Sequence, residues 1–130
     1  MKTVSSDEIA RILDPVEGLS FTFYFGSSVS GIVPRGSDVD IAVYFKTIQD
    51  LDARCEIIGR LQDGLAFEKV DLTVLNTAPV FLAFEALKGK MVLCKDRESY
   101  ETFFSYTCRM YEDEMIRMEK ASGYKIPVIS

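Results

Sequence analysis

The sequence predicts one α/β (α+β) domain over residues 1–130, with a mixed sheet of about four strands flanked by helices. Short apolar stretches alternate with segments of helical periodicity, and Gly and Pro residues separate them. A chain of 130 residues with 48% apolar residues can also bury a proper core. No internal repeat or low-complexity linker divides the sequence, so a single domain is expected.

The first elements are predicted from capping and breaker residues. Ser5 followed by Glu8 forms a capping box, which starts a helix that must end before Pro15. An apolar strand is expected over about residues 20–25. A short helix is expected to follow it over residues 27–31.

The middle of the chain repeats this alternation. A strand is predicted over about 38–45, a helix over about 48–62 that closes at Gly64, and a third strand over 70–75. One side of the helix over 48–62 is expected to carry Leu51, Cys55, Ile58 and Gln62.

The last elements end in a long helix. Pro79 suits the first position of a helix, and a short fourth strand is predicted over 91–94. Asp96 can then cap a C-terminal helix over about 97–120. The functional core is therefore expected over about residues 20–95, with the long helix following it.

Composition excludes several classes of function. The formal net charge is −5 without a basic block, which disfavours a general nucleic-acid binder. The absence of histidine excludes His-based acid–base catalysis and His metal ligands. Three well-separated cysteines form no zinc or disulfide pattern. Without an apolar signal segment or a run of transmembrane length, a cytoplasmic location is expected and no membrane association.

The most informative motif is Gly26 and Ser27, followed after ten residues by Asp38 and Asp40. A glycine at a strand end allows close backbone approach to a phosphate, and a helix starting at Ser27 offers N–H groups and a hydroxyl. Carboxylates two positions apart on a strand point to the same face and can bind one hard cation. The spacing predicts a site for a nucleoside triphosphate with Mg²⁺. Arg35 is a candidate for a phosphate contact.

Asp71 interrupts the otherwise apolar strand over 70–75. If this strand lies beside the strand over 38–45, Asp71 can join Asp38 and Asp40. Three carboxylates would then surround two Mg²⁺ ions, the arrangement for in-line displacement at phosphorus. On the strand over 38–45, the side with Asp38, Asp40, Ala42 and Tyr44 is expected to form the wall of the site, opposite a core side with Val39, Ile41, Val43 and Phe45.

With these motifs the chain resembles the DNA polymerase β-like nucleotidyltransferase superfamily. The segment over residues 35–41 (Arg-Gly-Ser-Asp-Val-Asp-Ile) is similar to that of its smallest branch, the minimal nucleotidyltransferases of prokaryotes, and Asp71 matches the third acidic position. The resemblance implies the polymerase β-like fold. It further implies an antitoxin that transfers AMP from ATP to a tyrosine of its partner, a small helical toxin of the HEPN class.

Two other functions remain open. A non-catalytic antitoxin would keep the fold and neutralise its toxin by contact alone, although such a protein has no need for clustered carboxylates. A nucleotidyltransferase acting on a small molecule would need an additional helical domain to form the acceptor pocket. Here only the helix after Asp96 follows the core.

The long helix carries an apolar stripe at helical spacing: Tyr100, Phe103, Phe104, Thr107, Tyr111, Met115 and Met118. Core packing explains the first half of this stripe. A helix of this length is longer than the domain requires, so its second half is expected to project or bend. Tyr106, Met110 and Met118 are candidates for a partner interface, because Tyr and Met are common at such surfaces.

Overall fold

The computed structural model describes residues 2–26, 32–33, 37–47 and 51–123 of the chain. In chain order its elements are β1 Lys2–Thr3, α1 Ser6–Leu13, β2 Leu19–Phe25, β3 Ile32–Val33, β4 Val39–Phe45, α2 Leu51–Leu65, β5 Val70–Val74, α3 Val80–Leu87, β6 Lys90–Cys94 and α4 Arg97–Ser122. The four main strands confirm the predicted ones to within one residue at each end.

A mixed sheet with the strand order β5-β4-β2-β6 forms the centre of the molecule. β4 pairs parallel with β5, and β2 pairs antiparallel with both β4 and β6. The parallel pair needs a crossover, which α2 provides. The two short strands β1 and β3 form a separate antiparallel pair that was not predicted from the sequence.

Apolar side chains cover both faces of the sheet. On one face, α1 and α2 pack over a core that includes Val39, Ile41 and Val43 of β4, all fully buried. On the other face, α3 and the first half of α4 pack over a core that includes Phe21, Phe23, Phe25 and Ala42. Burial on both faces explains why β2 reads as a nearly continuous apolar run.

The predicted helix caps are confirmed. The Ser5 side chain accepts a hydrogen bond from the backbone N–H of Glu8 at 3.2 Å. The Asp96 side chain accepts one from the N–H of Ser99, also at 3.2 Å. Each cap satisfies a backbone donor that the first helical turn leaves without a partner.

The predicted end of α2 at Gly64 was wrong, the predicted start lies outside the described residues, and the side with Leu51 and Cys55 is not the buried one. Gly64 lies inside the helix, where a Cβ would sit 2.5 Å from Cδ1 of Ile12, so the glycine allows α1 and α2 to approach closely. The buried residues are Ile57, Leu61 and Leu65, spaced four apart. Leu51 and Cys55, predicted on one side with Ile58 and Gln62, are exposed.

One smaller difference concerns the start of α3. Pro79 is the residue before α3 rather than its first helical residue, so its missing N–H removes no helical hydrogen bond. The short helix predicted over 27–31 lies outside the described residues.

α4 is a single helix of 26 residues, or about 39 Å. Tyr100 and Phe103 contact the aromatic rings of β2, and Thr107 is buried. Farther along, Tyr111 contacts α3, whereas Ile116 and Met118 are exposed. The prediction of a packed first half is therefore confirmed. No described helix is long and apolar enough to cross a membrane.

Candidate functional site

Gly26, Asp40 and Asp71 come together at one end of the sheet. Asp40 is the register partner of Phe25 on one side and of Asp71 on the other. Gly26 directly follows Phe25 at the end of β2, and Asp38 directly precedes β4. The pairing of β4 with β5 thus places the third predicted carboxylate beside the second.

The site occupies only the first part of the sheet face on which it lies. Asp40 is half-buried and Asp71 is exposed, whereas Ala42, farther along the same face of β4, is fully buried. Tyr44 stacks on Phe21 with ring centroids 4.9 Å apart. The prediction that Ala42 and Tyr44 belong to the site wall was therefore wrong, because α3 and α4 cover that part of the face.

The carboxylates repel one another. Burial raises the pKa of Asp40 above its ordinary value, and the negative charges of Asp71 and Asp38 raise it further. A hydrogen bond between the Asp40 and Asp71 side chains also favours the protonated form of Asp40. A cation that binds at this position would relieve the repulsion.

Gly26 lies directly against this acidic group. Its φ angle of +83° is in the left-handed region, which favours glycine. A Cβ at this position would collide with the Asp40 carboxylate and lie 3.1 Å from Cγ of Asp40. From the sequence, this glycine is predicted to let a phosphate approach the backbone. In the structure, the missing side chain makes room for Asp40.

A cleft of about 400 Å³ opens beside the carboxylates. Asp40 and Asp71 lie on its wall, with Thr73 of β5 beside them. Residues that sequence reasoning missed also line the cleft, among them Arg54 of α2, Thr77 after β5 and Leu82 of α3. Arg54 and Leu82 occupy helical positions without any local motif, so only the packing of the helices against the sheet reveals them.

The other predicted residues lie apart from this cleft or outside the described chain. Ser27 and Arg35 fall outside the described residues. Tyr106 is 53% exposed and lines a different cavity, near Tyr44 and Asp96. Met110 is half-buried and Met118 is exposed, both on α4. The assignment of Tyr106, Met110 and Met118 to a partner interface stays a prediction.

The carboxylates fit a magnesium ion, which prefers oxygen ligands and binds in many sites through one or two carboxylates together with substrate phosphates. Asp40 and Asp71 form such a pair, and Asp38 is near enough for its charge to act on Asp40. In the described part of the chain, however, no three Asp, Glu, Cys or His side chains form a complete metal-binding group. The remaining ligands would therefore come from the nucleotide and water.

Comparison with known proteins gives consistent matches. The family model "Polymerase beta, Nucleotidyltransferase" matches residues 7–98. The chain is 30% identical to the protein adenylyltransferase MntA of Shewanella oneidensis, and the alignment covers 86% of this chain and 81% of that protein.

Solved structures of similar chains extend this likeness. A chain in a crystal structure of a toxin–antitoxin with AMP-PNP has a TM-score of 0.75 and 28% identity, covering 91% of this chain and 94% of the other. A second structure contains a tri-AMPylated HEPN toxin of Shewanella oneidensis in complex with MNT antitoxin. The similar chain there has a TM-score of 0.69 and 26% identity, with coverage of 89% and 90%.

Proposed function

Because the chain belongs to the polymerase beta nucleotidyltransferase family, we propose that it transfers AMP from ATP to a tyrosine of a HEPN-type toxin and thereby acts as the antitoxin. The observation that carries this proposal is the pairing of Asp40 with Asp71 on neighbouring strands at an open cleft, with Asp40 lying against Gly26. The family and the ATP-analogue complex of a similar chain indicate a nucleotide substrate. We place the reaction in the cytoplasm, because the cysteine pattern fits a reducing compartment.

Asp38, Asp40 and Asp71 would together hold two Mg²⁺ ions with the triphosphate. When bound, Mg²⁺ neutralises the charge that develops on the phosphate oxygens and lowers the pKa of the acceptor hydroxyl. Ser27 and the backbone N–H groups after Gly26 are assigned to the β- and γ-phosphates. Arg35 is assigned to a further phosphate contact, and the cation of Arg54 borders the same cleft.

The transfer follows from these positions. The acceptor oxygen attacks the α-phosphorus of ATP and forms the new P–O bond. The bond from the α-phosphorus to the oxygen that bridges it to the β-phosphate breaks, and its electron pair leaves with pyrophosphate. Asp71 orients the hydroxyl, accepts its proton and passes that proton to solvent. Orientation and electrostatic stabilisation supply most of the rate.

A protein acceptor suits the shape of the site. The cleft beside Asp40 and Asp71 is open at the surface of the described residues. A protein partner can therefore supply the acceptor side. The relatives support this choice, since one is named a protein adenylyltransferase and another was solved with an AMPylated HEPN toxin.

The test uses intact-mass spectrometry of the proposed HEPN-type partner, after incubation with the wild-type protein, ATP and Mg²⁺. We expect a mass increase of the partner by whole AMP units, and loss of that increase with Asp40→Asn or Asp71→Asn. Asp113→Asn, an exposed change on α4, serves as the charge-matched control and should label normally.

Circular dichroism of each variant separates loss of chemistry from loss of fold. If the wild-type protein and Asp71→Asn both neutralise the toxin while the partner mass stays unchanged, the protein is a non-catalytic antitoxin. If AMP is instead transferred to a small molecule, the protein belongs with the nucleotidyltransferases that act on small molecules.

A further inference from the structure

α3 is apolar around almost its whole circumference. Its sequence is Val-Phe-Leu-Ala-Phe-Glu-Ala-Leu, in which Glu85 is the one polar residue. Ala83, Ala86 and Leu87 are buried against the sheet. A helix that is hydrophobic on all sides is normally covered on all sides, whereas the described chain covers α3 on part of its surface.

Two large apolar side chains of α3 remain exposed. Phe81 is 42% exposed and Leu82 is 40% exposed. α4 covers one flank of the helix, where Phe84 stacks on Tyr111 at 3.8 Å between ring centroids and Phe81 meets the same ring edge-on at 5.5 Å. We call the exposed surface of Phe81 and Leu82, together with the adjoining Tyr111, the α3 outer face.

The α3 outer face continues directly into the proposed active site. Leu82 lines the same cleft as Asp40 and Asp71, on the flank of α3 away from Tyr111. Phe81 then extends the apolar surface outward from the cleft. Any molecule that brings a hydroxyl to Asp71 along this flank must pass over Leu82.

We propose that the α3 outer face is the docking surface for the acceptor protein, which seats an apolar segment next to its acceptor hydroxyl on Phe81 and Leu82. This inference rests on the proposed function. Continuity with the catalytic cleft identifies the occupant, because a segment that covers Leu82 has its neighbouring residues beside the carboxylates. Burial of exposed apolar area supplies affinity, and the position of Leu82 sets the register of the hydroxyl.

This surface is distinct from the one predicted from the sequence of α4. Tyr106 lines a separate cavity with Tyr44 and Phe103. Tyr44 lies four residues along β4 from Asp40, or about 13 Å of strand. A partner segment seated at Tyr106 would therefore lie farther from Asp71 than a segment seated at Leu82, which lines the same cleft as Asp71. Single substitutions on the α3 outer face and on the α4 surface are therefore expected to have different effects.

The experiment measures initial rates of AMP transfer against concentration of the HEPN-type partner for Phe81→Ser, Leu82→Ser and the wild-type protein. We expect the KM for the partner to rise at least tenfold in both variants. Calorimetric titration of Phe81→Ser with Mg²⁺ and AMP-PNP should give an unchanged Kd, because Phe81 does not line the cleft. Leu51→Ser is the matched control: Leu51 is a 69% exposed leucine on α2, the helix on the opposite sheet face.

The outcomes separate this inference from the proposed function. A wild-type protein that labels no partner overturns both. Wild-type labelling with an unchanged KM in Phe81→Ser and Leu82→Ser overturns the docking surface alone, and a raised KM in Tyr106→Ala would then assign docking to α4. If light scattering shows a wild-type dimer that Leu82→Ser dissociates, while KM is unchanged, the face belongs to a second copy of the chain.

Discussion

At the scale of single residues, the site depends on the close approach of the Asp40 carboxylate to Gly26, which has no side chain. Gly26 ends β2 with a positive φ angle, and the space that its Cβ would take is occupied by the carboxylate of Asp40. Because Asp40 lies between Gly26 and Asp71 across three strands, a small displacement of Asp40 changes its distance to every other group of the site.

Gly26→Ala should therefore impair the enzyme through Asp40. The left-handed backbone alone costs about 1–2 kcal/mol in stability for a residue with a side chain. Displacement of the Asp40 carboxylate by roughly 1 Å should lower the AMP-transfer rate about 100-fold. Steady-state transfer assays and thermal unfolding test this, with Gly59→Ala as control, since a Cβ at Gly59 meets nothing within 4 Å. Wild-type activity in Gly26→Ala would contradict the assigned contact.

Asp40 also predicts a pH dependence of stability. Its pKa in the folded state is raised above the ordinary value of 3.8. Ionisation of Asp40 therefore destabilises the fold, and this effect is absent below that value and develops as the pH rises through the folded-state pKa. Asp40→Asn should melt a few degrees higher than the wild-type protein at pH 7 without metal.

The same change should give no advantage at pH 3.5, where the wild-type carboxyl is protonated. Thermal melts in EDTA at the two pH values provide the comparison. Mg²⁺ with AMP-PNP should raise the Tm of the wild-type protein more than that of the variant, because the ligands bind the folded state. A variant that melts lower than the wild-type protein at pH 7 would argue against repulsion in the site.

At the scale of elements, α4 begins at a defined cap. Asp96 accepts from the N–H of Ser99, and Lys46 pairs with its other oxygen at 3.8 Å. Asp96→Ala should lower the free energy of unfolding by about 1 kcal/mol, whereas Asp96→Ser should retain most of it because serine also caps. The surface pair with Lys46 adds little. Chemical denaturation measures the free energy of unfolding of both variants. Equal losses in Asp96→Ala and Asp96→Ser would assign the effect to the ion pair.

Some elements of the fold are determined by local sequence, whereas others depend on tertiary packing. Strands such as β2 and β4 were predictable because they are apolar runs bounded by Gly and polar residues. The cap at Asp96 was predictable because its hydrogen bond is made within one helical turn. The buried side of α2 could not be predicted, because exposed Leu51 resembles a core residue until the position of the neighbouring helix is known. Arg54 and Leu82 join the site only through tertiary packing.

At the scale of the whole molecule, one sheet separates two functions. The face under α1 and α2 is filled mostly with aliphatic side chains and contributes mainly stability. The other face is covered by α3 and α4 over most of its length and is open where Asp40 and Asp71 lie. The proposed active site is therefore the part of a core face that the covering helices leave open.

The strand order has a further consequence for solution behaviour. β5 is an edge strand of the described sheet, so one side of its backbone lacks a neighbouring strand. Such an edge can pair with the edge of another molecule, and charged side chains on the strand oppose this. Asp71 is the one charged residue within β5. The carboxylate assigned to catalysis thus also protects the sheet edge from intermolecular pairing.

Asp71→Val should therefore aggregate faster than Asp40→Val, although both remove one charge from the same site. Asp40 lies on a central strand, whose backbone is paired on both sides. Light scattering at raised temperature and matched concentration makes the comparison, and equal rates would contradict the edge argument. Selection for chemistry and selection against fibrous association would then act on the same side chain.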